Sequence, residues 1–133
     1  MASKKKTPGG HFVKVFEFVP DEQKSGRILS SVKVGGVYIS RLMIEPGVVT
    51  GNYYHRDTFL MMYAESGSIK GYFEHVKTKK RTDINILPAK QVIHIPPLVS
   101  HATANVGLDS AVLVMFSNKR LRSGDDFEYI IKK

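Results

Sequence analysis

The chain has no cysteine and no tryptophan in its 133 residues. Without thiols there is no disulfide framework, no thiolate nucleophile and no cysteine-ligated zinc. That suits a reducing compartment, although a chain without cysteine is compatible with either redox setting. Long hydrophobic runs are missing too: nothing approaches the roughly 20 apolar residues of a membrane span. The opening "MASKKKTPGG" has lysines with no apolar stretch behind them, so it does not read as a secretory signal. A cytoplasmic location is the expectation. Acidic residues are outnumbered 12 to 20 by basic ones, a net charge of +8. The excess sits in Ser3–Lys6, Lys77–Arg81, Asn118–Arg122 and the final Lys132 and Lys133. No helix-turn-helix, zinc-finger or RNP-like pattern accompanies it, so nucleic acid is not the expected partner. Lys77–Arg81 reads as a solvated hairpin tip, while a basic rim would also attract a phosphorylated or diphosphate ligand.

What the sequence does have is alternation. His11–Val19, Gly36–Glu45, Thr58–Glu65, Ser68–Val76, Val92–Ile95, His101–Val106 and Ala111–Ser117 place apolar residues at period two, as half-buried strands do. His11–Val19 is apolar on both sides and is expected to be covered on both. Turn residues separate these segments at Glu45–Gly47, Glu65–Gly67, Leu87–Lys90, Pro96–Leu98 and Val106–Ser110. Gly47, Gly51 and Gly67 are read as residues that permit tight turns. Only Ser123–Lys133 offers a helix turn, capped by Ser123 or Asp125. With no repeat and no linker, the expectation is an all-β single domain over residues 11–133, following a disordered basic N-terminus at 1–10.

Two segments carry a resemblance. "PGVVTGNYYHRDTFLMMYAESG" (Pro46–Gly67) keeps the spacing of the first cupin motif, with Gly47 and Gly67 at its ends. Its first histidine position is Tyr53, its second is His55, and its glutamate position is Leu60. "HIPPLVSHATANVG" (His94–Gly107) keeps the second motif, with Pro96, His101 and Asn105 in place. The chain thus resembles the cupins, small antiparallel jelly-roll barrels. Its phrasing is similar to the sugar-nucleotide cupins: the C-terminal cupin domain of capsular-polysaccharide reductases, the 3,4-ketoisomerases and the rhamnose-pathway 3,5-epimerases. Thr50 and Tyr53 stand where the epimerase-like segment carries Arg and its catalytic His, so 3,5-epimerase activity as such is not implied.

The resemblance implies a site in the barrel mouth. His55 would be the base, with His101 and Tyr53 assisting, and Tyr53, Leu60 and Asn105 would be placed to meet substrate, while by residue type alone Leu60 reads as core and Asn105 as a residue that fixes a turn or closes a backbone hydrogen bond. Alternation along a strand sends Tyr53 and His55 to one side and Tyr54 to the other. A catalytic zinc or iron takes three protein ligands and an open position. Here His55 and His101 supply two, Leu60 removes the carboxylate, and a tyrosine hydroxyl titrating near about 10 is a poor third. No cofactor is therefore expected, and a divalent metal, if bound, would sit on His55 and His101.

Three functions remain open. The first is a metal-free isomerase or epimerase acting on a nucleotide-linked keto sugar in surface-polysaccharide synthesis. The second is a degenerate cupin that binds a carbohydrate or small metabolite without turnover, and the third a metal-dependent cupin enzyme. Whether the chain is an enzyme is not decided at this level. A homodimer paired through sheet edges is expected, with His11–Val19 the candidate for pairing with a neighbour.

Overall fold

The structure, a computed structural model, describes residues 12–133, with the backbone alone over 21–24. The expected basic N-terminus at 1–10 and His11 lie outside the described residues. Eleven strands follow in order: β1 (Val19–Lys24), β2 (Arg27–Val34), β3 (Val37–Ile44), β4 (Val49–Tyr54), β5 (Leu60–Ser66), β6 (Ile69–His75), β7 (Arg81–Ile86), β8 (Ile93–Ile95), β9 (Val99–Asn105), β10 (Ala111–Ser117) and β11 (Phe127–Glu128). They form two antiparallel sheets. One has the order β1-β2-β3-β10-β5-β8, the other β11-β4-β9-β6-β7. This is the jelly-roll barrel expected of a cupin. Among the described residues there is no helix, and so none long and apolar enough to cross a membrane.

Register lines up the core. Leu29 faces Leu42, Leu42 faces Leu113, and Leu113 faces Ala64 across four neighbouring strands. Met115 continues the row below by pairing with Met62. These side chains meet Ile69, Phe73 and Ile86 of the other sheet in one cluster. Leu60, predicted to face the cavity, is fully buried in that cluster. A smaller cluster of Tyr72, Ala102 and Ala104 lies apart, with Val49 and Ile131 of the C-terminal tail packed against it.

Three expectations need correction. The segment 12–18 is not a strand covered on both sides. It has no pairing, Phe12 is 85% exposed, and Val13, Val15, Phe16 and Phe18 are exposed as well. Continuing the Val19↔Ser31 register would bring Phe16 opposite Val34, where β2 ends, so residues 12–15 would run past the end of β2. Alternation reports what side chains prefer and not whether a partner strand exists. Ser123–Lys133 holds no helix turn; it supplies β11, whose Phe127 and Glu128 pair with Tyr54 and Tyr53. Finally, Gly51 is not in a turn. It sits inside β4 at φ +97°, at a register shift between Gly51 and Tyr53, and a Cβ there would lie 2.6 Å from the His101 carbonyl oxygen. The position is a β-bulge in which β4 presses against β9.

Several strands escaped the sequence pattern. β2 reads Arg-Ile-Leu-Ser-Ser-Val-Lys-Val and β7 Arg-Thr-Asp-Ile-Asn-Ile, each too polar to register as alternating. Lys77–Arg81 does lie at the β6–β7 tip, where His75 Nδ1 accepts from the Lys77 backbone N–H at 3.1 Å.

Gly67 turns the chain between β5 and β6 at φ +95°, and a Cβ there would lie 2.7 Å from Ala111 Cα. Both the left-handed backbone and the packed neighbour oppose a side chain. Gly67→Ala is expected to lower unfolding stability by about 2–5 kcal/mol in chemical denaturation. An unchanged midpoint would mean that β10 yields at this point.

Candidate functional site

The bulge at Gly51 and Asn52 sets the site. Asn52 also has a positive φ, 69°, and its side chain turns outward, where Nδ2 donates to the Lys132 carbonyl and Oδ1 accepts from the Ile131 and Lys132 N–H groups. The extra residue lets Thr50 and Tyr53, three positions apart, line the same cavity. Tyr54 points the other way and packs on Phe127, as alternation predicts. Tyr53 directly faces His101 in the β4–β9 register.

The structure brings His55, His101 and Tyr53 together. The two imidazole centroids are 5.6 Å apart, and the Tyr53 ring contacts both edge-on, at 5.4 Å from His55 and 5.1 Å from His101. His55 is 3% and His101 4% exposed. Asn105 is elsewhere. It lies four residues along β9 from His101, about 13 Å at the rise of a strand. Its amide is used inside the protein: Nδ2 donates to the Ile44 and Asp109 carbonyls and Oδ1 accepts from Gly107 N–H. Neither Asn105 nor Leu60 lines the cavity that His101 and Tyr53 border.

His55 is fixed from two directions. Its carbonyl accepts from the Leu98 N–H at 2.8 Å, and its Nδ1 lies 2.7 Å from the Asp125 carbonyl oxygen. Leu98 occupies the glycine position of the second motif at φ +71°, a conformation a leucine adopts only under tertiary constraint. A carbonyl can only accept, so the His55 Nδ1 carries the hydrogen and neutral His55 keeps its lone pair on Nε2. The Nε2 atoms of His55 and His101 are both buried and form no hydrogen bond to the protein. Burial, reinforced by the neighbouring His55, pulls the His101 pKa down from 6.5 to about 3, so this ring is neutral at physiological pH. The pair therefore offers one oriented acceptor and one uncharged imidazole, both seeking a polar partner.

Asp125 secures the C-terminal segment over this pair. Its carboxylate accepts from the N–H groups of Arg56, Asp57 and Thr58 and from the Thr58 hydroxyl, at 2.7–3.2 Å. Desolvation raises its pKa, but the bonds from Thr58, Asp57 and Arg56 outweigh that and hold it at about 2. Asn118 makes the companion attachment, accepting from Phe59 N–H and donating to the Asp57 carbonyl. Between these two anchors the chain dips inward, and Leu121 joins the main core cluster. The inner cavity beneath it has a volume of about 30 Å³ and is bordered by His101, Tyr53, Thr50, Thr103 and core aliphatics. Outside lies a wider vestibule of about 330 Å³. Arg27, Thr50, Gly51 and Arg122 border both.

A metal fits this donor set poorly. Two imidazole nitrogens converge with a phenol and no carboxylate, one short of the three ligands a catalytic ion takes. Among the described residues no group of three or more His, Asp or Glu side chains is placed to hold an ion. His94 packs against Phe59, and Glu74 accepts from the Tyr129 hydroxyl, so neither completes the set.

The sequence matches the family model for the polysaccharide biosynthesis C-terminal domain over residues 22–127. The chain belongs to that family. Its fold is shared with CapF, described as the capsular polysaccharide assembling protein of Staphylococcus aureus, at 20% identity and a TM-score of 0.77 over 88% of this chain and 35% of that one. A CapF structure with the inhibitor 3-isopropenyl-tropolone superposes with a TM-score of 0.78 at 19% identity, over 93% and 37% of the two chains. Bacillus subtilis oxalate decarboxylase, whose manganese(II) centres have been characterised, gives a TM-score of 0.69 at 17% identity over 82% and 29%. The chain spans about a third of the length of these structures. Among curated proteins the sequence has no match. This is thus a cupin of a polysaccharide-biosynthesis family, as the two motif segments implied.

Sequence reasoning missed four groups at this cupin's site. Arg27 lies on a strand that escaped notice. Leu121, Arg122 and Asp125 belong to a tail that returns from far along the chain. "NKRLR" was visible as a charge run, with nothing to show that its leucine turns inward and its last arginine stays at the mouth.

Because the His101 ring in the fold refuses a proton that the unfolded chain accepts, stability is full above about pH 6.5 and falls as the pH drops toward 3. The slope is expected to reach at most about 1.4 kcal/mol per pH unit. Asp125 acts in a lower window, its contribution fully present above 3.8 and lost as the pH falls through about 2. Denaturation of the parent and of His101→Gln between pH 7 and 4 separates the two. The upper slope should vanish in the variant, and its persistence would assign it to another group.

Proposed function

We propose that this cupin is an isomerase- or epimerase-type enzyme acting on a nucleotide-linked keto sugar in surface-polysaccharide synthesis, by metal-free acid–base chemistry. The observation that carries the reading is the buried pair of unpaired imidazole nitrogens, with the His55 lone pair placed on Nε2 by its bond to the Asp125 carbonyl. His55 Nε2 takes the proton from the carbon next to the sugar carbonyl. The electron pair moves through the new C=C bond onto the carbonyl oxygen, giving an enolate. Tyr53 or His101 donates a proton to that oxygen. In isomerisation the His55 proton then goes to the former carbonyl carbon as the adjacent hydroxyl gives its proton to the donor; in epimerisation the donor takes its proton back as the first carbon is reprotonated on its opposite face. Neutral His101 suits a hydrogen-bonding role better than a charged one. The 30 Å³ inner cavity holds a water-sized group, so the sugar ring enters as Leu121 withdraws.

The test is proton NMR of the purified protein with dTDP- and UDP-linked 4-keto-6-deoxy sugars in deuterated buffer. Deuterium uptake next to the carbonyl and a new sugar spectrum are expected, with His55→Gln slowing both about 100-fold or more. Unchanged, undeuterated sugar across the panel would defeat the proposal. The aliphatic plug at Leu121 and the full burial of Leu60 favour one other reading, a cupin that binds a carbohydrate without turning it over. Ligand-dependent thermal stabilisation with no deuterium uptake would select it.

The same proposal includes a homodimer. Five large apolar side chains between Phe12 and Phe18 are exposed in the single chain, more than a solvated segment normally leaves uncovered. A second copy's sheet edge would cover them. Light scattering at micromolar concentration should give twice the chain mass, and deletion of residues 1–18 should give the single mass. A monomer before deletion would remove the pairing.

A further inference from the structure

The vestibule outside the imidazole pair has a chemistry that the acid–base proposal does not use. Among the described residues its lining is Ser25, Arg27, Val48, Val49, Thr50, Gly51 and Arg122, with two guanidinium groups, no carboxylate and two hydroxyls, of which that of Thr50 lies 2.9 Å from the Thr103 hydroxyl. The two arginines come from distant parts of the chain. Arg27 opens β2, directly after the turn at Gly26, and Arg122 sits in the segment that crosses the mouth between Asn118 and Asp125. Both also border the inner cavity, whose lining includes His101 and Tyr53, so they stand between solvent and that imidazole.

Arg122 is placed there by its backbone. It has φ +63°, a left-handed conformation unusual for a side chain of its size, and Gly124 follows at +107°. That turn sends Leu121 down into the core and leaves the next residue at the rim. The Arg122 guanidinium lies 5.5 Å from the centroid of the Tyr53 ring, whose edges touch both imidazoles. Backbone strain held at a rim position, beside a site, is a recurring mark of ligand-binding groups. A guanidinium presents planar, paired N–H donors that match phosphate oxygens two at a time. The chain's net charge of +8 adds a field that draws anions toward the opening.

We propose that Arg27 and Arg122 form a diphosphate-binding subsite at the barrel mouth, with Ser25 as a neighbouring hydroxyl donor. The vestibule, at about 330 Å³, has the room that the inner cavity lacks. A ligand held there by its diphosphate projects its other end past Arg122 and Tyr53 toward His55 and His101. This deepens the proposed function and rests on it for the identity of that other end, whereas the anion subsite itself is testable alone.

Isothermal titration of the full chain with inorganic pyrophosphate and with uridine diphosphate tests it. Pyrophosphate binding that weakens with added salt is expected, reduced about 10- to 100-fold in both Arg122→Gln and Arg27→Gln. Arg122→Lys should recover only part of the loss, because an ammonium cannot bond two oxygens in one plane. Lys119→Gln, which removes a nearby cation of the same basic run, should stay within about twofold of the parent. Thermal melts of each variant check that the barrel is intact; should Arg27→Gln unfold, the Arg122 variants decide the matter. Tighter binding of uridine diphosphate than of pyrophosphate assigns the ligand to the nucleotides, and equal binding assigns it to the diphosphate alone. No pyrophosphate binding, or binding indifferent to Arg122, overturns the subsite. Arginine-dependent binding without deuterium uptake into any keto sugar keeps the subsite and removes the isomerase reading.

Discussion

Asp125 ties the end of the chain to the barrel mouth with both halves of the residue. Its carboxylate collects three backbone N–H groups and a hydroxyl from residues 56–58, and its carbonyl takes the Nδ1 hydrogen of His55. The first set closes the loop that follows β4 and holds the segment after β10 across the opening. The second determines which His55 nitrogen keeps a lone pair. Closure of the site and the chemical state of its candidate base are therefore coupled through one residue, and that residue lies 70 positions from His55 in the sequence.

The burial that results has a chemical consequence. Beside Leu121 and core aliphatics, His101 is buried where charge is expensive, so it stays neutral well below physiological pH. Leu60, at the glutamate position of the first motif, is fully buried in the main core cluster and adds no charge there. Outside, the balance reverses, and the vestibule carries two guanidinium groups. The site is graded from a charged rim to a dry interior, with Tyr53 spanning the boundary through contacts with Arg122 on one side and the histidines on the other.

The β4 bulge shows how such a site is assembled from a strand that does not keep strict alternation. With a regular strand, Thr50 and Tyr53 would face opposite ways. The left-handed residues Gly51 and Asn52 absorb one position, and the outward Asn52 then serves as the tie for Ile131 and Lys132. The same two residues thus set the cavity lining and secure the tail on the outer face. Leu98 makes a comparable accommodation on the other side of His55, accepting a positive φ where the motif spacing leads one to expect glycine.

The sequence by itself determined the strand-rich character and the two motif segments in order, through local periodicity and spacing, which a linear chain records. That the two histidines and Tyr53 meet was implied by the resemblance of those segments to the cupin motifs. It also suggested a strand at residues 11–19, where side chains alternate but residues 12–18 join no ladder, and of the two readings it allowed for Asn105 the amide takes the structural one, bonded to Ile44, Asp109 and Gly107. Only the tertiary structure decided the tautomer of His55, the neutrality of His101, the plug at Leu121 and the placing of Arg27 and Arg122 around the same vestibule. Each depends on groups separated by dozens of residues. Hydrogen bonding and desolvation act through distances in space, and no pattern of neighbours along the chain encodes them.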